Sequence, residues 1–174
     1  MPPAGANRKL EFEQTALGEL PVLYRVARRL TGDAHQAEDL VAQALLDAAK
    51  GWHSFDGAHP RSWLIRILRN RYLRHAQREA SKPRHVQLNE AAAMQKDIWE
   101  DLDWQMIGPK ILDALDELPE EYRTAVSLCD VEQMSYEDAS LAMQVPIGTV
   151  RSRVFRGRRL LREKLAWVVN EDVS

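Results

Sequence analysis

Apolar residues recur every three or four positions along almost the whole chain. No β-branched run alternates convincingly, so the pattern predicts helices throughout. Phe12 to Leu30 reads as one helix, with a kink or local break expected at Pro21, which lacks a backbone N–H. Thr31-Gly32-Asp33 stops this helix and restarts the chain, and Asp33 is suited to cap the next one. Ala37 to Gly51, rich in Ala and Leu, is the second helix. The stretch from Gly51 to Pro60 holds Gly57, His53 and His59 and reads as a loop. Pro60 stands at the start of a third helix, running from about Arg61 to Arg78, where its missing N–H costs nothing.

Ser81-Lys82-Pro83 ends that unit, and the chain is then polar and acidic to about Asp103. A second helical unit begins near Trp104 and continues to Leu118. Pro119 opens another helix that ends near Asp130. Ser135, with Asp138 three residues later, is a weak capping box that starts a short helix to Met143. After Gln144-Val145-Pro146 a last helix runs from about Ile147 to Leu165. The expected fold is therefore all-α: two small helical domains, residues 10–82 and 104–168, joined by an acidic linker at 83–103.

A length of 174 residues fits one ordinary domain or two small ones. Cys129 is the only cysteine, which excludes an internal disulfide or a thiolate cluster. The apolar runs fall far short of the roughly 20 residues needed to cross a bilayer, so no membrane insertion is expected. Met1 to Gly18 carries Glu11 and Glu13 and has no signal-peptide core; a cytoplasmic protein is expected. The net charge of −2 says little, but its distribution says more. Arg61 to Arg84 holds eight Lys and Arg against Glu79 alone, and Arg151 to Lys164 holds seven against Glu163 alone. Between them, His85 to Asp138 carries fourteen acids and only three basic residues. Two basic stretches, each on an apolar-striped helix, point to two polyanion-binding surfaces.

At about 100° per residue, Val150, Val154, Gly157 and Leu161 form the inward stripe of the last helix. Ser152, Phe155, Arg156 and Arg159 lie opposite, with Arg151 and Arg158 flanking. Arginine suits guanine edges and phosphates, and a thymine methyl would cover Phe155. A short helix, a three-residue turn and an arginine-rich helix form a helix-turn-helix. In the third helix Ile65, Leu68, Tyr72 and Ala76 form the buried side. Arg66, Asn70 and Arg74 occupy the reverse, with Trp63 on their edge and Arg71 and Arg78 nearby. An aromatic and an amide among arginines suit unpaired bases, although Trp63 at a helix start serves packing equally well.

Catalysis finds no support. Glu38 and Asp39 are adjacent on a helix and point about 100° apart, so they do not converge on one atom. His53 and His59 lack an acidic ligand cluster, so no metal site is expected. Cys129 sits among Val126, Leu128 and Val131 with no nucleophile motif and reads as core. No glycine loop suited to phosphate is present, and no cofactor is expected.

These residues resemble the extracytoplasmic-function group of bacterial RNA polymerase sigma factors, over about Phe12 to Leu165. LYRVARRLTGDAHQAEDLV (Leu23 to Val41) is similar to the family's polymerase-binding segment, and RSWLIRILRN (Arg61 to Asn70) to its promoter-melting helix. Leu118 to Leu165, above all PIGTVRSRVFRGRR, is similar to its C-terminal helix-turn-helix. Ala16 to Thr31 and DVEQMSY resemble the thiol-stress subgroup paired with zinc-containing anti-sigma factors.

The resemblance implies that Glu38, Asp39, Val41, Ala42 and Leu45 dock on the clamp helices of the largest subunit of core RNA polymerase. It implies that the loop from Trp52 to Pro60 takes a flipped base of the −10 element, with Trp63, Arg66, Asn70, Arg71 and Arg74 on the opened strand. Thr149, Arg151, Ser152, Phe155, Arg156 and Arg159 would read the −35 element of promoter DNA. The acidic linker would thread through the polymerase, and an anti-sigma factor is an expected partner. The chain departs from the family at Ala42 to Leu45, where Gln, an acid, Thr and an aromatic are usual. It departs again at Ala139, Ser140 and Ala142, where Ile, Ala and Ile are preferred, which implies a thinner core there. Taken without the resemblance, the residues also fit a stand-alone helix-turn-helix regulator, which would leave the Arg61 to Arg78 face idle.

Overall fold

The computed structural model describes residues 4–79 and 104–171, and the acidic linker assigned to 83–103 lies outside them. The described residues form seven α-helices: α1 (Ala4–Thr31), α2 (Ala34–Gly51), α3 (Pro60–Glu79), α4 (Trp104–Asp116), α5 (Glu120–Val126), α6 (Tyr136–Met143) and α7 (Ile147–Glu171). The all-helical expectation holds among them.

Local chemistry sets most of the boundaries. Gly32, at φ 70°, donates its N–H to the Arg28 carbonyl at 2.9 Å, which is the left-handed stop that glycine makes cheaply. Asp33 then caps α2 by accepting from the Gln36 N–H at 2.9 Å. Ser135 caps α6 in the same way, accepting from the Asp138 N–H at 3.0 Å. Gln144 ends α6 in a left-handed conformation at φ 57°, and Pro146 lets α7 begin after a turn of three residues.

Three details differ from the sequence pattern. Helix α1 begins at Ala4 rather than Phe12 and runs unbroken through Pro21. Pro21 is exposed and so is Leu17, whose carbonyl loses its partner, so water can take that bond. The Gly51–Pro60 loop opens with a single 3-10 turn at Trp52–Ser54. The helix ending near Asp130 is interrupted: after Val126 it widens into a π turn over Ser127–Val131, where the Glu132 N–H reaches the Ser127 carbonyl at 2.9 Å.

In the first unit, α1 contributes Leu23, Val26, Ala27 and Leu30, α3 contributes Leu64, Ile65 and Leu68, and α2 meets them with Ala37, Val41, Ala44 and Ala48. The alanines let α2 approach closely, while each buried Leu or Ile contributes about 1.5–3 kcal/mol. In the second unit, Ile111, Leu115, Tyr122, Val126, Leu161 and Leu165 close α4 and α5 onto α7. How the units meet was not foreshadowed by the pattern of either one. Leu128, Met134, Ala139, Ala142, Met143, Val150 and Val154 belong to the same continuous core as the first unit's residues. Helix α6 packs along α3, and the two units share one interior.

Candidate nucleic-acid interface

Helix α7 is held by its inward stripe. Val150, Val154 and Leu161 are at most 1% exposed, and Gly157 is buried against α5. This rotation turns the expected reading face outward. Arg151 and Arg159 are exposed, while Thr149, Ser152, Phe155 and Arg156 are half-buried. The Arg151 guanidinium lies 5.9 Å from the Tyr136 ring centroid, within cation–π range, so α6 steadies it. Ser152 Oγ donates to the Thr149 carbonyl at 3.0 Å, which leaves its lone pairs to accept from a base amino group. Arg159 pairs with Glu163 at 3.4 Å on the surface. Arg158 turns inward instead, and its guanidinium grips both Asp130 oxygens at 2.7 and 3.0 Å.

Helix α3 presents Arg66, Asn70 and Arg74 at intervals of four, Arg74 exposed and the other two half-buried. Arg71 departs from this set. It bonds Asp47 and Gln43 of α2, so its guanidinium serves the first unit's own packing. Trp63 sits in an aromatic cluster, its ring 5.8 Å from Trp52 and 4.7 Å from Phe55, with Phe12 beyond Trp52 at 5.4 Å. Packing therefore fixes this indole, yet one edge remains in a cleft of about 240 Å³ lined by Phe55, Asp56, His59, Trp63, Arg66 and, from α6, Leu141. Gly57 at φ 86° and His59 at φ 52° shape the loop that forms its rim, and the Asp56 side chain accepts from the Ala58 N–H at 2.9 Å. An aromatic wall, a carboxylate and an arginine suit a planar heterocycle.

Comparison with known proteins decides the family. The profile for Sigma-70 region 2 matches residues 18–82, which contain α2 and α3, and that for Sigma-70, region 4 matches residues 109–161, which contain the helix-turn-helix. The ECF RNA polymerase sigma factor EcfG of Rhodopseudomonas palustris is 32% identical over 149 residues, 83% of this chain and 80% of its own length. The chain belongs to the extracytoplasmic-function sigma factors. It is also 35% identical to SigE of Mycolicibacterium smegmatis over 83% of its length, while spanning 57% of that relative. A solved structure, the sigma factor RpoE of Bartonella quintana in complex with the anti-sigma factor NepR, is 34% identical. It matches with a TM-score of 0.67 over 90% of this chain and 97% of that one. CnrH, 20% identical with a TM-score of 0.64, shares the fold.

On the first unit of this sigma factor, Glu38, Asp39 and Ala42 of α2 are exposed, Leu45 is half-buried, and Leu46 beside them is 63% exposed. Val41 is corrected: at 5% exposure it is a core residue of α2, since the helix turns it toward α1 and α3. No helix among the described residues is long and apolar enough to cross a membrane, and no group of three metal-ligating side chains occurs among them. Cys129 is half-buried, and burial, helped by the Asp130 charge, pushes its thiol up to about 11, away from nucleophilic use near neutral pH.

Sequence reasoning missed the polar residues at the junction of the units. Arg69 is 8% exposed and gives Nε and Nη2 to Glu120 at 3.0 and 3.2 Å and Nη1 to the Met143 carbonyl at 3.3 Å. Ser62, 2% exposed, donates to the Asp138 carbonyl at 3.0 Å. Arg25 of α1 binds both oxygens of the buried Glu132 at 2.8 and 2.7 Å, which raises the guanidinium pKa above its ordinary value. The available signal was the charge imbalance itself: an acidic stretch with no partner of its own beside a basic helix.

Proposed function

We propose that this sigma factor directs core RNA polymerase to its promoters through two DNA-facing surfaces and takes part in opening the duplex, with no catalytic site of its own. Residues 10–82 form the polymerase- and −10-binding domain, 83–103 the linker and 104–168 the −35-binding domain. In the second domain Thr149, Arg151, Ser152, Phe155, Arg156 and Arg159 meet the −35 element in the major groove, the arginines on phosphates or guanine edges. In the first, Arg66, Asn70 and Arg74 hold the opened −10 strand, and a flipped base enters the cleft beside Trp63. Arg71 contributes by orienting α3 on α2. Glu38, Asp39, Ala42 and Leu45, with Leu46, form the face for the clamp helices of the largest subunit.

The observation that carries this reading is the rotation of α7. Its apolar stripe is buried, which turns a polar face of arginines around Ser152 and Phe155 outward, with Arg151 and Arg159 exposed. The complex of the Bartonella quintana sigma factor with NepR supports an anti-sigma factor as a further partner. The proposed work with core polymerase on promoter DNA supports a cytoplasmic setting.

The test is run-off transcription with core polymerase over a linear promoter library, and then binding of the selected promoter. Arg156→Ala should weaken discrimination at one −35 position by about 1–3 kcal/mol. An equal loss on random duplex would overturn the base-reading role, and the absence of transcripts from the wild type would overturn the function.

A further inference from the structure

Within the first unit, α1 holds both ends of the loop that rims the base cleft. Of the residues from Gly5 to Gln14 only Phe12 is not exposed. Its ring meets Trp52, at the start of the loop, edge-on at 5.4 Å and 64°. Two turns further along the same face of α1, Glu19 accepts from Arg61 Nε at 2.6 Å, just past the end of the loop at Pro60. A rise of about 10 Å separates the two contacts along α1. Ala16, midway and 7% exposed, keeps this face against the bundle. The loop's own bonds are local: Ser54 Oγ donates to the Gly51 carbonyl at 2.8 Å and the Phe55 N–H to that of Trp52 at 3.2 Å. They shape the turn without fixing where its rings stand. Trp52 does that, stacking on Phe55 at 4.9 Å and meeting Trp63 at 5.8 Å, and those two rings form the aromatic wall of the cleft.

Resting on the function just argued, we propose that Phe12 is a positioning residue for the −10 base: α1 from Phe12 to Glu19 braces the loop, and Phe12 acts through Trp52 to hold Phe55 and Trp63 where an unstacked base can lie against them. Neither Phe12 nor Trp52 lines the cleft, so Phe12 works without touching the base. No residue from Trp52 to His59 is buried, and a stacking wall left to so exposed a segment would have to be ordered at each binding event. A brace from a continuous helix does that ordering in advance. The fold itself draws on α1 elsewhere, since Leu23, Val26, Ala27 and Leu30 enter the core from three turns or more beyond Phe12. The Sigma-70 region 2 profile begins at residue 18, so Phe12 also lies outside the segment matched to the family.

The test uses the full chain with core polymerase and a promoter selected from the library, in which an abasic site is moved one position at a time along the non-template −10 strand. In the wild type one position should be sensitive, binding falling at least about fivefold where the stacked base is missing. In Phe12→Ala the abasic site at that position should cost less than about twofold, because the cleft no longer holds the base, while its effect at every other position keeps the wild-type size. Phe12→Tyr retains the ring and should restore the wild-type profile, and Leu10→Ala, at an exposed residue of the same helix, should leave it unchanged. If Phe12→Ala fails to fold, Glu19→Gln loosens the other end of the loop and should give the same selective loss at smaller amplitude. A Phe12→Ala profile that matches the wild type overturns the brace even where overall affinity falls, since a weakened fold lowers binding to every template alike. A wild-type profile in Glu19→Gln, where that variant stands in, or a Phe12→Tyr variant that behaves like Phe12→Ala, overturns it too. A wild type that transcribes but has no sensitive position refutes the base cleft and the brace with it, while a wild type that gives no transcripts refutes the function on which both rest.

Discussion

A Cβ built on Gly157 of α7 would stand 2.5 Å from Cγ2 of Val126 in α5 and 3.3 Å from the Tyr122 carbonyl oxygen. The helix-turn-helix therefore closes on α5 through a contact that only glycine permits. Gly157→Ala gains up to about 1 kcal/mol of helix propensity but overpacks the contact at a cost of about 1–3 kcal/mol. Urea denaturation should show net destabilisation, and −35 binding should fall because α7 is displaced. A variant more stable than the wild type would show that α5 yields easily.

Arg69 and Glu120 form the most buried ion pair of the junction, their side chains 10% and 20% exposed. Arg69→Ala takes the cation from the Glu120 carboxylate, leaving it the Thr124 hydroxyl, and removes a donor from the Met143 carbonyl. Breaking a buried pair costs about 3–5 kcal/mol, and residual hydration at this site lowers the expected loss to about 2–3 kcal/mol. A double-mutant cycle with Glu120→Ala should return a coupling above about 1 kcal/mol; additive losses would mean that Arg69 acts through packing alone.

Asn70→Ala should leave binding to duplex promoter nearly unchanged while slowing transcription from it. On a promoter carrying a pre-melted bubble the defect should shrink, because the amide's proposed task is to help open the duplex, a step the bubble has already completed. Equal defects on both templates would count against that task.

The raised thiol of Cys129 gives a pH prediction. Its folded value of about 11 lies above the ordinary thiol value, so the folded state holds the proton more tightly than the unfolded chain does. The stabilisation is complete below the unfolded value and is lost as pH rises toward 11. Cys129→Ser should flatten the fall in stability over that alkaline window. Alkylation at pH 8 should be slow in the native chain and become fast only in denaturant.

The helix caps provide a simpler check. Asp33→Ala and Ser135→Ala should each cost about 1 kcal/mol by thermal denaturation. Only the second should also weaken −35 binding, since α6 supports Arg151 through Tyr136.

The legible part of this molecule was its local chemistry. Asp33 and Ser135 reach an N–H three residues away, and the Val150–Val154–Leu161 stripe follows from helical spacing, so neither depends on a tertiary contact. Val41 escaped because a motif groups neighbouring residues, whereas rotation separates them: Val41 points into the bundle and Ala42 away from it. Arg71 and Arg69 escaped for the same reason, each looking like one more arginine of a solvated face. Their partners Asp47 and Glu120 lie 24 and 51 residues away, beyond the reach of periodicity. The junction could not be read because its components are polar or small, Ser62 and two alanines, and burial there depends on a docking that no single helix encodes.

Those alanines carry a wider consequence. Relatives that place isoleucine at the positions of Ala139 and Ala142 would force a wedge of branched carbon between α6 and α3 while leaving the turn, the caps and the DNA-facing arginines untouched. How closely α6 lies on α3 can thus change through two residues without touching the arginines of α7, so the packing between the units and the face that α7 presents are free to evolve separately.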